Sequence, residues 1–447
     1  MGSGIGTVKA GPTKEFFVSM ITRDIQLPDA IVELIDNSID GIKRKRVENY
    51  AGYFIRVNFN RDSFVIEDNC GGIDLSIAME YAFVFGKPQS ARDREEKVET
   101  TGTFGIGMKR ALFKMGSEFE VSSKASCSDF VLRVDVNNWI SEEVWDFPLA
   151  IANDDVPHDE MECGTKITVS KLFSGISRSF MYTPFINEVI SIVQRRANAE
   201  ISRGLTIEIN GTRIEGAFLS VINGGRVLPY KHTFTSSDIT VMVIAGIAPE
   251  TDPDKAGWYV YCNNREVLSA DKSSLTTWKD ENDLEGIKYH NDYAAFRGFV
   301  FFTSIYPEYL PWNTSKTGVD GSSAIYSEAR SHMINAFKVI TSELKKLAKL
   351  EEEIRTTTAN SLKRQTAMSI HFYAAHSLPE KTDVSFVDFY KEQTISRIAQ
   401  STTTRITYDA DKDMVNKVKQ ILSVSKNRDV GIKTFDYFVE MEGLEDA

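Results

Sequence analysis

Glu33-Leu34-Ile35-Asp36-Asn37-Ser38-Ile39-Asp40 is the stretch on which the reading of this chain turns. On a helix, residues three and four apart share a face, so Glu33, Asn37 and Asp40 fall on one polar stripe. Ile31, Leu34, Ile35, Ile39 and Ile42 form an apolar stripe, which predicts burial against a sheet with the polar stripe facing a cavity. An acid, an amide and an acid held in this way suit a metal-bound phosphate. Acidic residues at helical spacing also suit a solvated surface, and this segment alone leaves both readings open.

Three further segments follow in order. Strand-like Ser63-Phe-Val-Ile-Glu67 runs into Asp68-Asn69-Cys70-Gly71-Gly72-Ile73, an acid at a strand end followed by a glycine turn. Gly102-Thr-Phe104-Gly105-Ile-Gly107 leads into a helical run over 108–114, placing backbone N–H groups where phosphate oxygens can be received. Cys163-Gly164-Thr165-Lys166-Ile167-Thr168-Val169 reads as a glycine-threonine turn entering a strand.

In this order the four segments resemble the nucleotide-binding motifs of the GHKL ATPases, the superfamily of gyrase B, the ninety-kilodalton heat-shock chaperones, histidine kinases and MutL. The spelling of 33–40 is closest to the MutL and MORC branches, while Gly164-Thr165-Lys166 is also similar to the heat-shock chaperones. The resemblance implies ATP and Mg²⁺ as cofactors. It gives Glu33 the role of general base toward the attacking water and Asn37 that of the metal ligand. Asp68, supported by Thr165, would accept from the adenine amino group. Asp40, Gly72, Gly102, Phe104, Gly105 and Gly107 complete the implied nucleotide contacts. Lys109, one turn into the following helix, reads as a phosphate contact or as an exposed helix lysine.

These residue types meet a physical need. A nucleoside triphosphate carries about four negative charges, so its hydrolysis calls for a divalent cation, oriented N–H donors and a base near the attacking water. Mg²⁺ is small and octahedral and keeps most of its shell as water and phosphate oxygens, so a single protein amide is a reasonable share. In one place the spelling departs from the family's Asp-x-Gly-x-Gly, because Cys70 occupies the position of the first glycine. Cys70 therefore reads as a buried, inert thiol or as a redox sensor.

Residues 86–101 are polar, charged and poor in apolar anchors, a composition that suits a mobile loop or an ordinary solvated insertion. By resemblance, 86–103 would be a lid over the phosphates. Residues 205–320 look rich in strands: 205–210 with an Asn210-Gly211 turn, 239–246, 257–264 and 299–305, all before Leu310-Pro-Trp-Asn-Thr-Ser-Lys316-Thr-Gly318. That order resembles the transducer domain of MutL, MORC and gyrase B. Lys316 would then be the loop lysine that reaches the terminal phosphate, against the alternative of a surface-loop lysine. The transducer-like order and the short stretch before Glu33 both speak against a histidine kinase.

The expected fold class is α+β. A Bergerat-type ATP-binding α/β sandwich over 1–175 would precede a ribosomal-protein-like α/β transducer over 176–345, and a mainly helical region over 346–447 would follow. A long helix is expected over 323–355, packing on the transducer sheet or forming a coiled coil. In the tail, a strand over 403–408 followed by helices over 411–422 and 430–441 resembles a ribbon-helix-helix module at 402–442, with a packing or dimerisation appendage as the alternative. Residues 356–400 yield no fold.

Composition narrows the function classes. A length of 447 residues suggests roughly three domains, and 42% apolar residues suffice for ordinary cores. A formal charge of −11 disfavours a protein coated in basic surface. The densest basic run, Lys43-Arg44-Lys45-Arg46, falls at the expected end of the Glu33 helix, where cations favour the dipole; a local DNA contact is the other reading. No long apolar run or signal peptide is visible, so no membrane partner is expected and a cytoplasmic or nuclear location is the default. Cys70, Cys127, Cys163 and Cys262 lack zinc-ligand spacing and suit reduced thiols. The resulting expectation is a slow ATPase acting as an ATP-gated homodimeric clamp, with DNA as the favoured client. A chaperone-like ATPase with protein clients and a non-hydrolysing dimerisation scaffold are the alternatives.

Overall fold

The computed structural model describes residues 11–86, 99–101, 105–278, 287–313, 316, 318–350, 352–400 and 406–443. Gly102, Phe104 and most of the expected lid lie outside them. The described chain divides into two units, 1–393 and 394–447.

The first unit is built on two sheets. Eight strands make the first: β1 (Phe54–Phe59), β2 (Phe64–Asp68), β3 (Gly116–Lys124), β4 (Ser128–Asp135), β5 (Leu149–Asp154), β6 (Gly164–Leu172), β7 (Thr206–Ile209) and β8 (Thr212–Arg213), in the order β5-β4-β3-β6-β2-β1-β7-β8. Burial alternates along β1 and β4, the pattern of a sheet covered on one face. The Leu27–Arg44 and Gly107–Met115 helices pack together above it, and both reach its strands. Pro28 lies in the first turn of the Leu27–Arg44 helix, where its missing N–H costs nothing, and Lys43 and Arg44 close the last turn. All five isoleucine and leucine residues of the predicted apolar stripe are buried, each contributing about 1.5–3 kcal/mol of transfer free energy.

This sheet extends beyond the expected boundary at 175. β7 pairs in parallel with β1 through Phe54↔Thr206 to Val57↔Ile209, and the same core continues to Ile214. The Asn210-Gly211 turn forms as read, with both residues at positive φ, as a type I′ hairpin requires.

Five more strands make the second sheet: β10 (Tyr230–Ser236), β11 (Ile239–Ile247), β12 (Gly257–Cys262), β13 (Arg265–Asp271) and β14 (Phe296–Thr303), ordered β10-β11-β14-β12-β13. β12 and β14 are buried along their whole length, because both faces of this sheet are covered. The Ala324–Ala348 helix packs on β10, β11 and β14, in line with the predicted long helix and with its packing reading. Ile370, Ala375 and Leu378 cover the other face, against Met242, Tyr259 and Phe299. Part of the stretch that yielded no fold is thus a cover for this sheet. It is tied down by β15 (Ala367–Ser369), which pairs with β9 (Ser220–Ile222).

Among the described residues, the second unit holds the end of the Val387–Gln400 helix and then the helices Lys412–Leu422 and Asn427–Met441, which are close to the expected pair. Asp411 caps the first of that pair by accepting from the N–H groups of Asp413 and Met414. The expected strand is not borne out in its described half, since Ile406–Tyr408 belong to no strand, and 403–405 lie outside the described residues. Isolated strands have no ladder to satisfy their backbone groups. Among the described residues, no helix is long and apolar enough to cross a membrane.

Candidate active site

The polar face of the Leu27–Arg44 helix is the centre of the site. Glu33 and Asp40 are buried, while Asn37 is exposed. Gly107 begins the neighbouring helix against Glu33, and a Cβ there would come to 2.3 Å from the Glu33 carboxylate. Glycine lets the helix start and the acid approach this closely, and a larger residue would displace the carboxylate from its present position.

Glu33 does not stand alone. Lys316 Nζ lies 3.6 Å from its Oε2, and Arg265 Nη1 lies 2.9 Å from its Oε1. Arg265 also pairs with Asp36. Burial works to raise the Glu33 carboxyl, but Lys316, Arg265 and Arg110 outweigh it and hold it below the usual carboxylate range. Burial pushes the Asp36 carboxyl up, with Arg265 opposing. Burial likewise pushes the Lys316 ammonium down, with Glu33 opposing. Lys316 is thus drawn into the site and is not a surface-loop lysine. Its backbone is left-handed at φ 55°, a conformation uncommon outside glycine.

Asp68 ends β2 and is gripped on several sides. Ser38 Oγ donates to its Oδ2 at 2.6 Å, and the N–H groups of Cys70 and Thr165 donate to its Oδ1 at 2.8 and 3.3 Å. Burial still pushes its pKa up against these three donors. A carboxylate offers about four acceptor sites, so this one keeps capacity for a further donor. Thr165 is linked in turn to Ser123 at 3.2 Å. Gly72 has φ 69°, and a Cβ there would come to 1.9 Å from the Lys124 carbonyl. Gly164 is held as tightly, 1.8 Å from the Asp68 carbonyl on the same test. The displaced glycine is accommodated because Gly71 also takes positive φ and Gly41 leaves room for the Cys70 carbonyl. Burial pushes the Cys70 thiol up, which favours the inert reading over a redox sensor.

Two predicted contacts have other partners. Asp40 accepts from the Thr101 N–H at 3.0 Å and from its hydroxyl at 3.1 Å, so it fastens the segment that leads into the glycine motif. Lys109 is neither exposed nor open to a ligand: it is buried and donates to the carbonyls of Ala82 and Val84 at 2.9 and 2.7 Å. Burial pushes its pKa down to about 7. Gly105 has φ 63° at the motif's described end. The basic run is occupied structurally, with Lys43 beside Glu200 and Lys45 beside Glu160.

Arg265, Asn263 and Ser38 escaped the sequence reading of the site. Cys262 and Arg265 pair across a two-residue turn whose members, Asn263 and Asn264, have φ 47° and 71°. Asn-Asn between an apolar run and Arg-Glu was the available signal for a type I′ hairpin presenting a charge.

The donor set fits a metal supplied mainly by its nucleotide. Among the described residues no cluster of three His, Cys, Asp or Glu could hold a metal, and Asn37 offers one open amide oxygen. Residues 25–165 match the family described as histidine kinase-, DNA gyrase B-, and HSP90-like ATPase. A comparison with curated proteins finds no match to the chain. The matched segment, less than half of the chain, contains Glu33, Asn37, Asp68 and the glycine motif; Arg265 and Lys316 lie outside it. The chain therefore carries a GHKL-type ATPase domain, which points to ATP as the ligand of this site.

Proposed function

We propose that the chain binds Mg-ATP between the Leu27–Arg44 helix and the Asp68 turn, and hydrolyses it slowly as a dimerising switch of the MORC/MutL type. The observation that carries this reading is the meeting of Glu33 with Lys316, an acid and a cation 283 positions apart in sequence whose charged ends lie 3.6 Å apart. Asp68 accepts from the adenine amino group, with Thr165 beside it, which selects adenine over guanine. Asn37 holds Mg²⁺, which neutralises phosphate charge when bound. Gly105 and Gly107 let the phosphates approach the backbone without a side chain in the way at those two positions.

In the reaction, Glu33 takes a proton from water as the water oxygen bonds to the terminal phosphorus. The bond from that phosphorus to the bridging oxygen breaks, and ADP carries the electron pair away. Lys316 stabilises charge on the transferring group and, because it comes from the second sheet's side of the molecule, couples the presence of that group to the second sheet. Two protomers associate when the triphosphate is bound. DNA is the client favoured by branch resemblance.

Phosphate release and molecular mass, measured with Mg-ATP, Mg-ADP and a non-hydrolysable analogue, with and without double-stranded DNA, test this reading. Dimers formed only with the triphosphates and turnover altered by DNA are the expected results. Failure to bind any nucleotide would refute the proposal, and dimerisation without a DNA response would remove DNA as the client.

A further inference from the structure

The β12–β13 hairpin places Arg265 where the mechanism above does not yet use it. Its tip is pinned: the Asn263 side chain donates to the Thr100 carbonyl at 2.9 Å and to the Ser304 carbonyl at 2.8 Å, and accepts from the Ser304 N–H at 3.0 Å. The guanidinium that follows is buried almost completely. Nη1 serves both Glu33 and Asp36, yet among the described residues Nε and Nη2 have no hydrogen-bond partner. Glu33 Oε1 also lacks an aligned donor, although Nη1 is 2.9 Å away. Buried donors left unmade are costly, and a fork of free N–H groups matches a tetrahedral oxyanion better than any single acceptor.

We infer that Arg265 is a terminal-phosphate contact that rests on Glu33 when no triphosphate is bound. On binding, Nη1 keeps Asp36, while Nε and Nη2 turn to oxygens of the terminal phosphate. Glu33 is thereby relieved of one of the cations that hold its basicity down and is left facing the water. The two orphaned donors find partners only when a third phosphate is present, so Arg265 makes the site favour a nucleoside triphosphate over the diphosphate. Asn263 links the same hairpin to Thr100, the stem of the expected lid. This inference rests on the proposed Mg-ATP reading.

The test is the ratio of affinities for Mg-ADP and the Mg-bound imido analogue of ATP, measured by calorimetry on the full chain. Arg265→Met is the direct variant. Asp36→Asn/Arg265→Met removes both partners together and so avoids leaving that carboxylate buried without its cation. Wild type is expected to prefer the analogue. Both variants should lose about tenfold or more of that preference, with ADP affinity kept within about twofold. A folded variant that keeps the wild-type preference, or loses affinity for both nucleotides equally, would overturn the inference and leave Arg265 a packing ion pair. If wild type binds neither nucleotide, the Mg-ATP reading itself fails and the inference falls with it.

Discussion

The two sheets of the first unit bring opposite charges to one point. The helix over the eight-stranded sheet presents Glu33, Asp36 and Asp40, whereas the five-stranded sheet and the loop after it present Arg265 and Lys316. Their burial differs in the same sense. The first sheet is covered on one face, by a helix that leaves Asn37 exposed, and the second is covered on both. Neither half holds a complete set for phosphate chemistry. The acids without the cations would supply a base but no charge stabiliser, and the cations alone would stabilise charge with no base to activate the water. A site divided in this way makes occupancy a matter of how the two halves meet, which is the physical requirement for a switch.

Removing the acid should have the largest effect. Glu33→Ala is expected to slow phosphate release by about 10²–10⁴-fold while nucleotide still binds, so ATP-bound dimers accumulate in mass measurements. Turnover at the wild-type rate would separate Glu33 from the chemistry. Removing the cation from the other side comes next: Lys316→Met should lower turnover by about a hundredfold and leave ADP binding unchanged, as read by single-turnover kinetics and calorimetry. Equal loss of ADP affinity would show Lys316 to be packing and not a phosphate contact.

The smallest expected effect concerns Lys109, which holds the chain just before the expected lid. Burial brings its pKa down to about 7, and a neutral amine has two N–H groups for the two carbonyls it meets. The unfolded chain keeps the ordinary lysine value and so binds more protons at mildly alkaline pH. This group's contribution to stability therefore rises as pH increases above about 7, by roughly 1 kcal/mol per unit, and is lost as pH falls through that value. Thermal melting from pH 7 to 9 should show a steeper rise for wild type than for Lys109→Met. Identical slopes would mean that the amine is not titrating there.

Much of this was legible in the sequence because the signals were local. The isoleucine stripe, the Asp68–Gly72 turn and the Gly164-Thr165 turn each state their geometry within a few residues, and β7, β11 and β12 announce themselves by apolar runs ended by turns. The extension of the first sheet past 175 was hidden, since a parallel partner 152 residues away leaves no local mark. Arg265 was hidden for the same reason: its partners are Glu33 and Asp36, and nothing in 257–264 points to them. Lys109 was misjudged because position on a helix does not report what covers it. In the tail, strand-like composition at 406–408 was not enough to form a strand there.

The central claim is that Glu33 and Lys316 act on one phosphate as a unit, and a double-mutant cycle on single-turnover ATP hydrolysis tests it most directly. Glu33→Gln, Lys316→Met and the double variant would be compared with wild type, each at saturating Mg-ATP. The account predicts that the double variant is about as slow as Glu33→Gln alone, since groups acting on the same transition state do not contribute independently. Losses that simply multiply would show the acid and the cation working apart and would contradict the account.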